Sequence, residues 1–241
     1  MNAKNVICIF AKNPKPGMVK TRLGKVIGEK KTAFLARAFL MDTLSTALRI
    51  RNASIALVHW PPDSASEFEE ILYLFSQEEK NRTVKKKCSE IALMPQKGSD
   101  LGERMAGITE EFFERGAEKI IIVGSDIPQL DPLIFRAALK LLTRKKVVLG
   151  PTFDGGYYMV GISQRVPEIF NGINWGSSSV YRETCEILES REIDWQEMEL
   201  SYDIDSSDDL ERLCDEIDML RLTGEDSICY HTERCLKNMT E

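Results

Sequence analysis

The chain has 241 residues, of which 43% are hydrophobic and 29% charged, and this composition is typical of a globular protein with a large core. Its net charge of -6 gives no reason to expect nucleic acid or an anionic membrane as a partner, and no apolar run is long enough to span a bilayer. Six cysteines without CxxC pairs, and no signal-peptide pattern before the first strand, favour a reducing compartment. We therefore expect a cytoplasmic protein without membrane insertion.

Segments with strand and helix patterns alternate along the chain. Buried parallel strands are apolar throughout, whereas helices repeat apolar residues every three to four positions. The predicted strands are Val6–Phe10, Ser54–His59, Ile91–Pro95, Lys119–Gly124, Val147–Gly150 and Tyr157–Ile162. The predicted helices cover residues 33–48, 63–76, 101–115, 131–142, 177–188 and 206–222. Asp131 before Pro132 predicts a capped helix start, and residues 78–87 are predicted to form a solvated loop.

This alternation predicts one α/β domain over residues 1–224, although the length alone would also permit two small domains. We expect a three-layer α/β/α architecture around a doubly wound, mostly parallel sheet. Residues 225–241 have a weaker pattern and are expected to be a tail, either a short surface helix or partly disordered. In such sheets ligands bind at the carboxyl ends of the strands, so the polar segments after the strands are candidate site residues.

A basic loop follows the first strand. Four cations occur within Lys12–Arg22 of an otherwise acidic chain, and the loop also contains two prolines and Gly17. Lysine and arginine side chains together with backbone N–H groups are the groups that hold a polyphosphate. The candidate nucleotide-binding residues are therefore Lys12, Gly17, Lys20 and Arg22, and the alternative is a solvated basic loop.

Two acidic segments are candidate metal sites. Asp126 directly follows the strand Lys119–Gly124, where a carboxylate could hold Mg²⁺ against phosphate oxygens, or could merely cap a turn. The second segment is the run Asp203–Asp209, whose residues include plausible helix caps. Capping explains most of this run but leaves either Asp203 or Asp205 available as a second metal ligand.

Three further positions are candidates for contact with the nucleotide or the acceptor. Arg104 lies near the start of a helix and could reach a phosphate or a base carbonyl, or pair with a neighbouring acid. Asp154 and Gly155 lie in a turn between two strands, where Asp154 could meet a sugar hydroxyl or the metal. Trp175, among small residues, could belong to an acceptor-side loop or equally to the core.

The sequence gives little support to other kinds of catalytic site. The chain has only two histidines and no GxSxG motif, so neither a serine-histidine-aspartate triad nor a histidine-rich zinc site is indicated. Cys229, His231 and Cys235 have loose ligand-like spacing in the weakly patterned tail, and we interpret it as incidental.

Six segments, in order along most of the chain, resemble a known bacterial family. They are AKNPKPGMVKTRL, QKGSDLGERM, GSDIPQL, GPTFDGGYYMVGI, NWGSSSVY and DIDSSDDL. They resemble nucleotide-diphospho-sugar-transferase-like proteins of the glycosyltransferase A (GT-A) type, labelled "transferase 1, radical-SAM/selenodomain-associated". The pattern is more distantly similar to 2-phospholactate and molybdenum-cofactor guanylyltransferases and to CMP-sugar synthetases.

This resemblance implies a GT-A fold and roles for particular residues. It implies that Lys12, Lys20 and Arg22 bind a triphosphate, and that Asp126 and Asp205 hold Mg²⁺ or Mn²⁺. Lys20 and Asp126 are the implied catalytic residues. The first loop departs from the guanylyltransferase LAGG pattern, so the resemblance does not assign a base.

The expected activity is metal-assisted transfer from a nucleotide triphosphate or a nucleotide-sugar to an unknown small acceptor. Nucleotidyl transfer, which releases pyrophosphate, and glycosyl transfer, which releases a nucleoside diphosphate, both remain open. The alternative from another class is a nucleotide-binding regulatory module without turnover. The sequence does not identify the oligomeric state, and an oligomer is compatible with it.

Overall fold

The computed structural model describes residues 4–79 and 81–240, and it contains one mixed sheet with helices on both faces. The seven strands lie in the order β3-β2-β1-β4-β6-β5-β7. Their bounds are β1 (Asn5–Lys12), β2 (Ser54–Trp60), β3 (Ala92–Pro95), β4 (Lys119–Gly124), β5 (Val147–Pro151), β6 (Tyr157–Ile162) and β7 (Trp195–Glu197).

Strands β3, β2, β1 and β4 are parallel neighbours, whereas β6 runs antiparallel to both β4 and β5. The four parallel strands are apolar because helices cover both faces, and Ile7, Cys8 and Ile9 of β1 are completely buried. Their carboxyl ends all lie at one edge of the sheet. The sequence-based prediction of a doubly wound, mostly parallel α/β sheet is therefore confirmed.

Nine helices connect and cover the strands within the described residues. Their bounds are α1 (Thr21–Ile27), α2 (Glu29–Leu48), α3 (Ala65–Glu78), α4 (Arg82–Lys87), α5 (Leu101–Glu114), α6 (Pro132–Leu141), α7 (Val180–Ser190), α8 (Ser207–Leu222) and α9 (Tyr230–Thr240). Asp131 caps α6 by accepting the N–H of Leu133, with Pro132 in the first turn, as the sequence predicts. None of the described helices is long and apolar enough to cross a membrane.

The tail predicted for residues 225–241 contains helix α9, which packs against α2. Buried Asp42 of α2 accepts the backbone N–H groups of His231 and Thr232, at 2.8 and 2.9 Å, and the Thr232 hydroxyl. This carboxylate therefore caps α9 across a tertiary contact. Residues 1–3 and 241 of the predicted domain and tail lie outside the described residues, and the division at residue 224 stays a prediction.

Two local predictions are wrong. Part of the predicted loop over residues 78–87 is helix α4, because the Asn81 side chain accepts the N–H groups of Thr83 and Val84; Lys80 lies outside the described residues. Helix α1 and strand β7 have no counterpart among the predicted elements, since both are short and largely exposed. The seventh strand extends the sheet beyond the six predicted strands.

Candidate functional site

A cleft of about 620 Å³ opens at the carboxyl edge of the parallel strands, beside the point where β1 separates β2 from β4. Its floor is apolar, with Phe10 and Ile122 from β1 and β4. The predicted site residues that line it are Lys12, Lys20, Arg104, Asp126 and Trp175. The cleft thus lies where doubly wound sheets bind ligands, and its volume is in the range of small-molecule sites.

The centre of the site is an ion-paired cluster of Lys20, Asp126 and Asp205. The Lys20 ammonium lies 3.0 Å from Asp126 Oδ2 and 2.8 Å from Asp205 Oδ1. The lysine side chain is only 3% exposed, while the aspartates are 49% and 36% exposed. A backbone hydrogen bond of 3.1 Å from Ile204 N–H to the Asp126 carbonyl holds the two acidic segments together. One buried cation therefore bridges two solvent-accessible carboxylates.

Lys20 combines an unusual backbone conformation with a buried, charged side chain. Lys20 is the N-cap residue of α1 and has left-handed dihedral angles, φ 46° and ψ 48°. Such a conformation is uncommon for a residue other than glycine, and it clusters at functional sites.

Burial lowers the pKa of Lys20, but the two aspartate charges raise it by more, so the net pKa is raised. The ammonium is therefore a fixed positive charge at neutral pH.

A third carboxyl group lies in the same acidic segment. Burial, and next the charge of Asp205, raise the pKa of Asp203 to about 6, against the opposing effect of Lys20. Asp203 therefore takes up a proton at mildly acidic pH. Ser206 caps α8 in a reciprocal capping box with Asp209, which explains that part of the acidic run by local structure. Asp203 and Asp205 are not needed for this cap.

Arg104 is held at the other side of the cleft by Trp60. The guanidinium carbon lies 3.5 Å from the centroid of the Trp60 ring, and Nε donates to the Gly98 carbonyl at 3.2 Å. Of the neighbouring acids, Asp100 caps α5 and Glu103 accepts hydrogen bonds from Ser99. The arginine is thus preorganised by a cation–π contact. Trp60 was not among the predicted site residues, although its place at the carboxyl end of β2 could have indicated it.

Trp175 packs partly in the core and partly against the cleft. Its indole packs on α5, where a Cβ at Gly102 would come within 2.4 Å of Nε1, and it meets Tyr157 edge-on at 6.2 Å between ring centroids. Trp175 and Tyr157 also line the cleft. The two rings form an aromatic wall, of which only Trp175 was a predicted site residue.

Besides Asp205, which contacts the cleft residue Lys20, four predicted residues do not line the cleft. Gly17 and Arg22 are exposed on the basic loop and on α1. The Asp154 carboxylate closes its own turn, accepting the Thr152 hydroxyl at 2.5 Å and the Gly156 N–H at 3.0 Å. Gly155 has φ +87°, and a Cβ there would lie 2.0 Å from the Ser178 carbonyl oxygen, so this glycine permits close packing of the turn against the segment before α7. Roles in ligand binding for these four stay predictions.

The carboxylates around Lys20 are the groups that could bind a divalent metal ion. Within the described residues, no three His, Cys, Asp or Glu side chains are grouped to hold a metal ion. Magnesium, however, commonly uses only one or two protein carboxylates and completes its coordination with phosphate and water. Asp126 and Asp205 already share one cation and remain partly exposed, so their donor set fits a metal that arrives together with a phosphate-bearing substrate.

Comparisons with known proteins agree with this fold. Residues 63–177 match the family described as "Uncharacterized protein conserved in bacteria (DUF2064)". No curated protein matches the chain significantly. A crystal structure from Desulfovibrio desulfuricans G20, described as a "putative nucleotide-diphospho-sugar transferase", has 30% identity and a TM-score of 0.79, over 95% of this chain and 98% of the other.

Two more distant structures share the fold. The 4-diphosphocytidyl-2C-methyl-D-erythritol synthase of Anaerococcus prevotii DSM 20548 has 13% identity and a TM-score of 0.58, over 90% of this chain and 97% of the other. CMP:2-keto-3-deoxy-manno-octonic acid synthetase, solved with CTP, has 11% identity and a TM-score of 0.56, over 90% and 99%. The extent of the match to the Desulfovibrio protein shows that this chain belongs to its family, the nucleotide-diphospho-sugar-transferase-like transferases.

Proposed function

We propose that the protein is a metal-dependent nucleotidyltransferase, which transfers a nucleoside monophosphate unit from a nucleoside triphosphate to a small acceptor. The observation that carries the proposal is the buried Lys20 ammonium between Asp126 and Asp205 at the cleft. Phosphoryl chemistry depends mainly on positioning and charge neutralisation, and this cluster supplies both. The CTP-bound relative with the same fold is consistent with a triphosphate as donor.

In this mechanism each cation has a separate task. Lys20, protonated at neutral pH, stabilises the charge that develops on the transferred phosphate, while Lys12 holds the outer phosphates at the rim of the cleft. An acceptor oxygen attacks the α-phosphorus, the bond from that phosphorus to the bridging oxygen breaks, and pyrophosphate leaves. Asp126 and Asp205 would hold Mg²⁺ or Mn²⁺, which supplies Lewis-acid neutralisation of the phosphate oxygens. The apolar floor excludes water from the reacting atoms.

Glycosyl transfer is the second candidate, and the aromatic wall of Trp175 and Tyr157 favours it. Aromatic faces and edges contact the apolar side of sugar rings, and the Desulfovibrio relative is described as acting on nucleotide-diphospho-sugars. In this case the acceptor attacks the sugar carbon, and the nucleoside diphosphate leaves.

One assay separates these functions. The protein is incubated with each nucleoside triphosphate, or with UDP-, GDP- and dTDP-sugars, plus Mn²⁺ or Mg²⁺ and a panel of phosphorylated and hydroxylated acceptors. Pyrophosphate release supports nucleotidyl transfer, and acceptor-dependent nucleoside diphosphate release supports glycosyl transfer. Binding without turnover of any donor would favour a regulatory module. If no nucleotide shifts the thermal unfolding midpoint of the protein, all three candidate functions are refuted.

A substitution connects the activity to the cluster. Asp126→Ala should abolish metal-dependent nucleotide binding and leave the fold intact, because the side chain is half exposed. The matched control is Asp208→Ala, which changes an exposed carboxylate in the first turn of α8. If Asp126→Ala unfolds the protein, the carboxylate has a structural role, and the proposal loses its main support.

The compartment is a separate proposal. All six cysteines are free, and Cys8, Cys88 and Cys229 are buried. Free buried thiols are typical of a reducing environment, so we place the protein in the cytoplasm. Quantification of disulfides in protein isolated under acid quench tests this placement.

A further inference from the structure

A second cavity, of about 310 Å³, lies between helices α2, α3 and α9. It shares no described lining residue with the cleft at the strand ends. Its wall combines an apolar part with charged groups. The lining includes Phe34, Arg37 and Met41 of α2, Glu78 of α3, and His231 and Arg234 of α9. Such a mixture, an apolar pocket with a few convergent polar groups, is typical of a small-molecule site.

Among the lining residues that the structure describes, the charges leave one cation available for a ligand. Arg234 pairs with Glu78, with 3.1 Å between Nη1 and Oε2. Arg37 is half-buried, and its guanidinium carbon lies 5.4 Å from the ring centroid of Phe34, which is 53% exposed. The aromatic contact positions Arg37 without neutralising it. The three charged side chains therefore give a net charge of about one positive unit, which a monoanion would balance.

His231 provides an independent indication of a ligand. Its side chain is only 2% exposed and lines the cavity, yet neither ring nitrogen has a hydrogen-bond partner among the described residues. The group facing Nδ1 is Glu78 Oε2, at 3.6 Å, which is beyond hydrogen-bond distance. The ring is packed between Phe75 and Tyr230, with centroids at 5.5 and 5.2 Å. Buried polar groups in folded proteins nearly always have a partner, so the imidazole lacks one that a ligand can supply.

The ionisation of the site is consistent with that role. Burial lowers the pKa of His231, more than the charges of Glu79 and Glu78 raise it. The imidazole is therefore neutral at pH 7, with one N–H donor and one acceptor nitrogen. Asp42 fixes the backbone of His231, so the ring position does not depend on the missing contact.

We propose that this cavity is a second binding site, specific for a small monocarboxylate with an apolar body. The planar Arg37 guanidinium pairs with the carboxylate, whose two oxygens match its fork of N–H donors. The His231 N–H supplies a further donor, and Phe34 and Met41 contact the apolar body. A phosphate monoester carries more negative charge than the cavity balances. The site is independent of the proposed transferase reaction, because the two cavities share no lining residue.

The test uses the full chain and two probes, benzoate and hexanoate, with acetate as the probe that lacks an apolar body. The chain has only two histidines, so the ring C–H signals of His59 and His231 can be followed separately by NMR, and the variant His231→Gln identifies the second signal. We expect benzoate to shift the His231 signal saturably at millimolar concentration, and acetate to bind more weakly. The His59 signal, buried elsewhere in the core, should not move.

Two variants decide whether the shift reports this cavity. Arg37→Met keeps an unbranched apolar stem but removes the guanidinium, and should weaken benzoate binding by about tenfold or more, as expected for loss of a charge-assisted pair. Arg136→Met on α6 removes an exposed arginine away from the cavity and should leave binding unchanged. An unchanged His59 signal confirms that each variant is folded.

Three results would overturn the proposal: no saturable shift of the His231 signal with any probe, equal binding in Arg37→Met, or loss of benzoate binding in Lys12→Met, which removes a cation of the cleft. The last would place the carboxylate in the cleft. Failure of the transferase assay has no bearing on these readouts, so the two proposals fail separately.

Discussion

Replacing Lys20 by Met tests whether this ammonium and the metal use the same carboxylates. The substitution keeps an unbranched apolar stem but removes the charge that lies 3.0 Å from Asp126 and 2.8 Å from Asp205. In the wild-type protein, a metal ion must compete with the ammonium for these oxygens. In Lys20→Met it meets two carboxylates without a counter-ion, so Mn²⁺ alone should bind more tightly.

The magnitude follows from distance and exposure. At an effective dielectric constant near 20, one ion pair at contact distance is worth about 4 kcal/mol, as an upper bound. The carboxylates are 49% and 36% exposed, so solvent screening reduces each pair to about 1 kcal/mol. Together the two pairs correspond to about 2 kcal/mol, or about 30-fold tighter Mn²⁺ binding. Transfer activity should nevertheless fall at least about 100-fold, because the positive charge at the phosphate is lost.

The assay is a Mn²⁺ titration without nucleotide, in which electron paramagnetic resonance measures the free ion. Lys12→Met, which removes an exposed cation from the rim of the same cleft, is the control and should keep the wild-type Mn²⁺ affinity. Asp126→Asn should weaken Mn²⁺ binding in either background. If Lys20→Met binds Mn²⁺ no more tightly than the wild type, the ammonium and the metal do not compete for these oxygens, and the reasoning is refuted.

Three other substitutions probe the structure. Gly155 has φ +87°, and a Cβ added there would lie 2.0 Å from the Ser178 carbonyl oxygen, so Gly155→Ala should lower the free energy of unfolding in urea by about 3 kcal/mol. The control is Gly172→Ala, which has φ +73° but open space around the added Cβ and should lose only about 1 kcal/mol. Equal losses in the two variants would contradict the clash. Burial raises the pKa of Asp42 from 3.8 to about 7, so the unfolded state loses its proton first and the free energy of unfolding falls as pH rises from about 4 to 7. Asp42→Asn should remove up to about 1.4 kcal/mol per pH unit of this slope, measured by denaturation at several pH values, and an unchanged slope would disprove the shift. Trp60→Leu should release Arg104 and raise the KM for the donor nucleotide about fivefold. Trp60→Phe keeps an aromatic ring under the guanidinium, so its KM should stay close to that of the wild type. Similar KM values for the two variants would argue against the cation–π contact.

Local patterns predicted most of the sheet and the general position of the site. The bounds of β4 and β6 agree with the predicted strands, since an apolar run between turn residues specifies a buried strand by itself. Asp126 was located in the same way, because a polar residue directly after a buried parallel strand must lie at its carboxyl edge. Elements without such a pattern were missed: the three residues of β7 include two exposed ones, and α4 depends on the side-chain cap of Asn81.

The sequence by itself determined the α/β class, the edge of the sheet at which the candidate site lies, and the residue types gathered there. Only the tertiary structure decided which of these residues meet. Lys20 and Asp205 are 185 positions apart, and Asp42 caps a helix 189 positions away. Helix and strand periodicity is a local property of the chain, whereas these pairs depend on strand order and helix packing. For that reason the sequence does not distinguish Lys20 from the three other cations of the loop. In the folded chain, Lys20 is buried and forms ion pairs with two carboxylates.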